Sequence, residues 1–259
     1  MSPAQVVFAA TLAAFGAIGL VDGDLALVGQ PVPEGWAGRE ALAILCASVS
    51  LASGAGLLWR RARAVSAPAL LAYLLLWFLL ARVSAAVVEP TEAVLWEQFG
   101  EAAVMVAGAW VLYAGIATDR DRRLGFAAGE GGVRIARVLY GLAMIAFGAA
   151  HFAYVEQTAG LVPAWLPSHT AWVYFTGSTY IAAGAAVLAG VQGRLAASLS
   201  ALQMGAFTAL VWVPVLAAGP QEVSQWSEGL VSWGLTAGGW VVADSYRLQV
   251  SRAWWRIGG

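Results

Sequence analysis

The sequence predicts an all-α polytopic membrane protein of eight transmembrane helices, arranged as two tandem four-helix bundles in the same orientation with both termini cytoplasmic. Three observations predict this. Hydrophobic residues make up 60% of the 259-residue chain and charged residues only 11%, with a mean hydropathy of +0.73, which excludes an ordinary soluble surface. The second half repeats the first at a spacing of 130 residues: positions 90–98 (PTEAVLWEQ) recur as 220–228 (PQEVSQWSE), and 107–114 (AGAWVLYA) as 237–244 (AGGWVVAD). The 14 basic residues are all Arg, and 12 of them fall in alternate loops or the tail, the bias expected of cytoplasmic loops.

The apolar runs are too long and continuous for barrel strands, and backbone groups in lipid must be satisfied internally, so helices are expected over 6–21, 41–59, 67–88, 102–118, 138–155, 171–191, 195–219 and 227–244. Each is close to the ~20 residues that cross the hydrocarbon core. The first follows Met1-Ser2-Pro3-Ala4-Gln5, which lacks the basic start of a cleaved signal. The second carries Gly54 and Gly56 for close helix packing and a lone Cys46, which has no partner for a disulfide or CxxC pair. The third holds Arg82, seven residues and thus nearly two turns from Glu89 on the same side. Glu97 and Glu101 lie one turn apart at the expected outer start of the fourth, as partners for Arg82 or as first-turn acids favoured by the helix dipole.

Between the fourth and fifth helices, Asp119-Arg120-Asp121-Arg122-Arg123 followed by Gly125, Gly129, Gly131 and Gly132 reads as a linker. The expected domains are therefore an N-terminal repeat over 1–118, a cytoplasmic linker over 119–132 and a C-terminal repeat over 133–259. Gly141 and Gly148 in the fifth helix, and Gly177 and Gly184 in the sixth, form heptad-spaced packing faces. Asp244 and Arg247, near the inner end of the eighth, are spaced for a local ion pair. The opposite loops carry Asp22, Asp24, Glu34, Glu40, Glu89, Glu92, Glu156, Glu222 and Glu228, making the outer face acidic.

The most distinctive stretch runs from Gly148-Ala149-Ala150-His151-Phe152 through Glu156 and Val162-Pro163-Ala164-Trp165-Leu166-Pro167 to Tyr174-Phe175-Thr176-Gly177. It resembles the DoxX/DoxD-like membrane proteins, whose pattern is a helix ending in G-x-x-H-F, a V-P-x-W-L-P outer loop and an aromatic-Thr-Gly opening to the next helix. The resemblance is carried by residues 141–187. The first half departs from it, with Gly19 in place of His151 and Gly35-Trp36 in place of Trp165-Leu166. The resemblance implies four-helix membrane bundles associated with respiratory or sulfur redox chemistry, as in thiosulfate:quinone oxidoreductase, and a membrane redox partner subunit. The branch of relatives that handles disulfides needs paired cysteines, which this chain lacks.

The candidate pocket comprises His151, Phe152, Glu156, Pro163, Trp165, Pro167, Gly177 and Arg82. His151 is expected about one turn inside the outer surface, where an imidazole either hydrogen-bonds a quinone carbonyl and moves a proton, or simply ties its helix to the loop. Phe152 and Trp165 offer ring-stacking walls. Arg82 is a donor fork for an anion or a quinone oxygen, or else an ion-pair partner. His169 and Glu156 read as interfacial or solvated groups, and the two His lack the company of a metal site. No cofactor is evident, neither haem nor iron–sulfur ligation being apparent from two His and one Cys; a quinone is the one the resemblance implies. The arginines lie where anionic lipid explains them, and no surface suits nucleic acid. Two readings stay open: a quinone-linked redox component of a bacterial inner membrane, and a non-enzymatic lipid or small-solute binder, carrier or assembly scaffold.

Overall fold

Ser2 and Gln5 start the first helix by a reciprocal cap: Ser2 N–H donates to Gln5 Oε1 at 3.0 Å and Gln5 N–H to Ser2 Oγ at 3.4 Å. Pro3 takes the first helical position, where its missing N–H costs nothing. A computed structural model describes residues 1–22, 37–117, 126–219 and 222–257 of the chain. Its helices in the first half are α1 (Pro3–Asp22), α2 (Arg39–Leu58), α3 (Arg63–Trp77), α4 (Ser84–Val88) and α5 (Ala93–Ile116). Those of the second half are α6 (Gly129–Ala153), α7 (Val155–Gly160), α8 (His169–Ala189), α9 (Gly193–Phe207), α10 (Val213–Ala217) and α11 (Val223–Ile257). There is no strand among the described residues.

Two π-helical segments, Phe78–Val83 and Thr208–Trp212, join α3 to α4 and α9 to α10. Their starts are 130 residues apart, the spacing of the sequence repeat. Among the described residues seven helical stretches are long and apolar enough to cross a membrane: Pro3–Val21, Arg39–Leu58, Arg63–Val88, Ala93–Ile116, Gly129–Ala153, His169–Ala189 and Gly193–Ala217. The remaining long helix, α11, is diluted by Ser227, Glu228, Ser232, Thr236 and Asp244. Of these, Ser227, Ser232 and Thr236 are buried, so part of its polarity faces the protein interior.

Helix ends differ most from the expectation in three places, one being the helix expected over 227–244, which runs from Val223 to Ile257. The helix expected over 102–118 begins at Ala93, which puts Glu97 just past the first turn and Glu101 a full turn beyond that, outside the first turn where the helix dipole acts. The helix expected over 138–155 begins at Gly129, so Gly129, Gly131 and Gly132 are helical rather than part of a linker. Gly132 is needed there for close approach: a Cβ would stand 2.0 Å from the Ala127 carbonyl oxygen, which accepts the Trp110 indole N–H at 2.9 Å. Polar residues do not end a helix where it leaves lipid, so hydropathy marks the buried part and not the whole element. The Asp119–Arg123 run, Gly125, Asp24, Glu34 and Gly35-Trp36 lie outside the described residues.

Within each half the helices pack in chain order, α1 on α2, α2 on α3 and α3 on α5, and likewise α6 on α8, α8 on α9 and α9 on α11. Across the halves α5 packs on α6, α11 on α1, and α5 on α11. The core lies at this seam, where Phe8, Val104, Val106, Tyr140, Met144, Val241 and Val242 are fully enclosed. Leu80, Val88, Phe175 and Leu199 point outward, as lipid-facing side chains do.

The tightest contacts run backbone to backbone. On α6 and α8, a Cβ at Gly148 would meet the Gly177 carbonyl oxygen at 2.6 Å, and one at Gly184 would meet that of Gly141 at 2.5 Å. On α1 and α2, Gly16 faces the Ala47 carbonyl oxygen and Gly54 that of Ala9 in the same way. A reversal links α8 to α9: Gly190 adopts φ 70°, and Val191 N–H bonds the Ala186 carbonyl at 3.0 Å, a Schellman stop. Placing Leu at position 148 is expected to push α8 off α6 and to cost about 3 kcal/mol or more, as overpacking against backbone does, read as a lower thermal midpoint in detergent; an unchanged midpoint would show that the two helices do not touch there.

Candidate functional site

The acidic end of α6 carries His151, and the α6–α8 glycine contact fixes its surroundings. Its Cβ lies where a side chain on Gly177 would collide, at 2.9 Å. Its ring meets Tyr180 edge-on with centroids 5.5 Å apart, and Tyr180 in turn lies 6.0 Å from Phe147. Nδ1 of His151 is 2.7 Å from the Phe147 carbonyl oxygen. A carbonyl only accepts, so Nδ1 carries the hydrogen and Nε2 is the open lone pair of the neutral ring. Tyr180 also hydrogen-bonds Gln203, which accepts from Thr179 Oγ1 at 2.7 Å and donates to the Thr176 carbonyl at 3.1 Å.

The rest of the predicted pocket is distributed around this point. The helix stops at Ala153 and α7 begins at Val155, so His151 and Glu156 stand on different helices, and Glu156 is exposed. Phe152 pairs with Tyr174 at 5.7 Å. Pro163 is half-buried; Pro167 and Trp165 are exposed, Trp165 to 72%. His169 opens α8 and is half-buried. Tyr154, at the break, accepts the Val94 backbone N–H at 2.9 Å and thereby joins the end of α6 to the start of α5.

Arg82 belongs to a different group. The π segment inserts an extra residue per turn, so residues beyond it are rotated by roughly 100° relative to an unbroken α-helix. Glu89, expected on the same side as Arg82, caps α4 as an exposed residue. Arg82 instead donates from Nη1 to Gln98 Oε1 on α5. Glu101 lies within electrostatic range of Arg82, Glu97 and Glu228, so this cluster straddles the α5–α11 seam at the acidic end. The described residues hold no group of three or more His, Cys, Asp or Glu placed to bind a metal ion. Asp244 and Arg247 form the expected local pair at 3.7 Å, and Cys46 is buried and free.

The hydrogen bonds in the interior of the second half were not anticipated from the sequence. Tyr140 and Ser200 are 2.8 Å apart, and Thr208 and Ser232 2.7 Å. At the arginine-rich end, Arg137 Nε donates to Ser245 Oγ at 3.0 Å, with its guanidinium carbon 3.6 Å from the Tyr246 ring centroid. Comparing the repeats position by position would have revealed them, because the first half has Phe8 for Tyr140, Leu70 for Ser200 and Phe78 for Thr208.

Residues 140–233 are similar to a family described as a domain of unknown function (DUF8561). That span opens on Tyr140 and encloses His151, Tyr180, Ser200, Gln203, Thr208 and Ser232. No curated protein and no solved structure matches the chain.

Proposed function

We propose that the chain is an eight-crossing protein of a bacterial inner membrane, with both termini and the arginine-rich loops in the cytoplasm, that binds a lipid-soluble ring such as a quinone beside His151. The single observation that carries this is the open Nε2 of a His held between Tyr180 and the Phe147 carbonyl. Neutral His151 accepts from the hydroxyl of a hydroquinone; protonated His151 donates to the carbonyl of a quinone. Phe152 and Tyr174, already paired at the same end, offer an aromatic wall. The resemblance of this region to DoxX/DoxD-like proteins agrees with a quinone-linked role and with a partner subunit that takes or supplies the electrons. α11, packed on α9, α1 and α5, supplies the eighth crossing.

A second reading, a non-enzymatic binder of a lipid or small solute, rests on the Arg82, Gln98 and Glu101 cluster at the seam between halves. It is the weaker of the two, because the seam below that cluster is filled by Val104, Val241 and Val242.

Titrating the purified protein with a short-chain quinone is expected to quench its tryptophan fluorescence saturably. Loss of one hydrogen bond predicts about tenfold weaker binding for His151→Ala. Failure of the wild type to bind removes the quinone reading, whereas equal binding by His151→Ala moves the ring elsewhere. In a Cys46→Ser background on intact cells, an impermeant thiol reagent is expected to label Ala164→Cys and to leave Asp121→Cys unlabelled; the reverse pattern overturns the orientation.

A further inference from the structure

The contact of α9 with α11, joined by one side chain of α6, carries a line of hydroxyl groups from one end of the second half to the other. Glu228 stands one turn from Ser232 on α11. Ser232 Oγ is 2.7 Å from Thr208 Oγ1, which is 3.4 Å from Thr236 Oγ1. Near Gly239 the Tyr140 hydroxyl enters and bonds Ser200 Oγ at 2.8 Å. Two turns further along α11, the Tyr246 hydroxyl rests against Gly193. Positions 228, 232, 236, 239 and 246 are spaced by four, four, three and seven, so they share one face of α11. At ~1.5 Å per residue they extend about 27 Å, close to the ~30 Å of a hydrocarbon core.

Interhelical hydroxyls in membranes often serve as glue. Here the first half gives a direct comparison. At the matching positions it has Leu70 for Ser200, Phe78 for Thr208, Ala102 for Ser232, Val106 for Thr236 and Phe8 for Tyr140, and its long helices pack in the same order. The architecture therefore does not require these hydroxyls. Moreover, Ser200, Thr208 and Thr236 each also reach a carbonyl of their own helix, at 2.9, 2.9 and 3.0 Å. Each proton thus has two acceptors and can switch between them.

We propose that this line is a proton route across the second half, between Glu228 and Tyr246. Each oxygen takes a proton on its lone pair and passes its own to the next, so one proton enters at one end, one leaves at the other, and no electrons move. The steps from Glu228 to Ser232, from Thr236 to Ser200 and from Tyr140 to Tyr246 are not direct hydrogen bonds, so the route requires a bridging water at each. Arg137, stacked on Tyr246, places a fixed positive charge at the arginine-rich end. It repels sodium, potassium and free hydronium and leaves hydroxyl relay as the means of passage. The route involves neither His151 nor its ligand, so it stands or falls separately from the quinone reading.

The test is proton flux into vesicles reconstituted with the full chain, driven by a potassium diffusion potential and read with a pH-sensitive dye. Wild type is expected to exceed protein-free vesicles. Removing one link in Thr208→Val or Tyr140→Phe is expected to slow the flux about tenfold, and Thr11→Val, off the route on α1, to leave it unchanged. Thermal midpoints in detergent accompany each variant, and near-isosteric Thr208→Val remains decisive if Tyr140→Phe fails to fold. Wild-type flux equal to protein-free vesicles overturns the proposal. So does wild-type flux in a variant whose midpoint falls, which would make the hydroxyls glue, and so does an equal sodium flux.

Discussion

Helices in lipid gain no hydrophobic energy by leaving it, so what holds them in register is contact, and contact is closest where no side chain intervenes. The glycine pairs of α6 with α8, and of α1 with α2, set backbone against backbone. Much else follows from this. At the acidic end of the α6–α8 seam the same approach brings His151 over Gly177 and against Tyr180. The ring Nδ1 of His151 bonds the carbonyl one turn below. The chemistry available to His151 is thus set by the packing of two helices whose facing residues are too small to react.

The two halves share a scaffold and differ in what they put inside it. Both run through the same order of helices, and both interrupt the third long helix with a π segment at the same place. In the first half the interior positions are Phe8, Leu70, Phe78 and Val106; in the second they are Tyr140, Ser200, Thr208 and Thr236. At these four positions the first half only packs, although it buries Thr11, Ser50, Ser53 and Ser66 elsewhere. The other carries polar groups in an environment that makes each unpaired one costly, and in the described structure these four are paired. The span similar to an uncharacterised domain family, residues 140–233, includes Tyr140, Ser200 and Thr208 but stops short of Thr236.

Much of this was legible in the sequence, for identifiable reasons. Apolar runs located the helices because lipid demands them, and heptad-spaced glycines at 141, 148, 177 and 184 marked the α6–α8 contact because nothing larger fits. Helix ends were misplaced at Ala93 and Gly129 because hydropathy follows the solvent while helical hydrogen bonding continues past it. Of the carboxylates offered as partners for Arg82, Glu101 lies within its electrostatic range, whereas the ideal period of 3.6 that pointed to Glu89 carries over only in an unbroken helix, and Phe78–Val83 is not one. The hydroxyl line was missed because its members are common residues spread over three helices; only their superposition on the first repeat makes them stand out.

The bond from Val94 N–H to the Tyr154 phenol has a consequence for how the chain can be divided. The first amides of α5 have no acceptor within their own helix, and one of them is satisfied by a residue from the other half. Cutting the polypeptide between the halves would leave one side of that clasp on each piece. Fusion into a single chain keeps the two sides at permanent high local concentration, which frees them to diverge in sequence without losing each other.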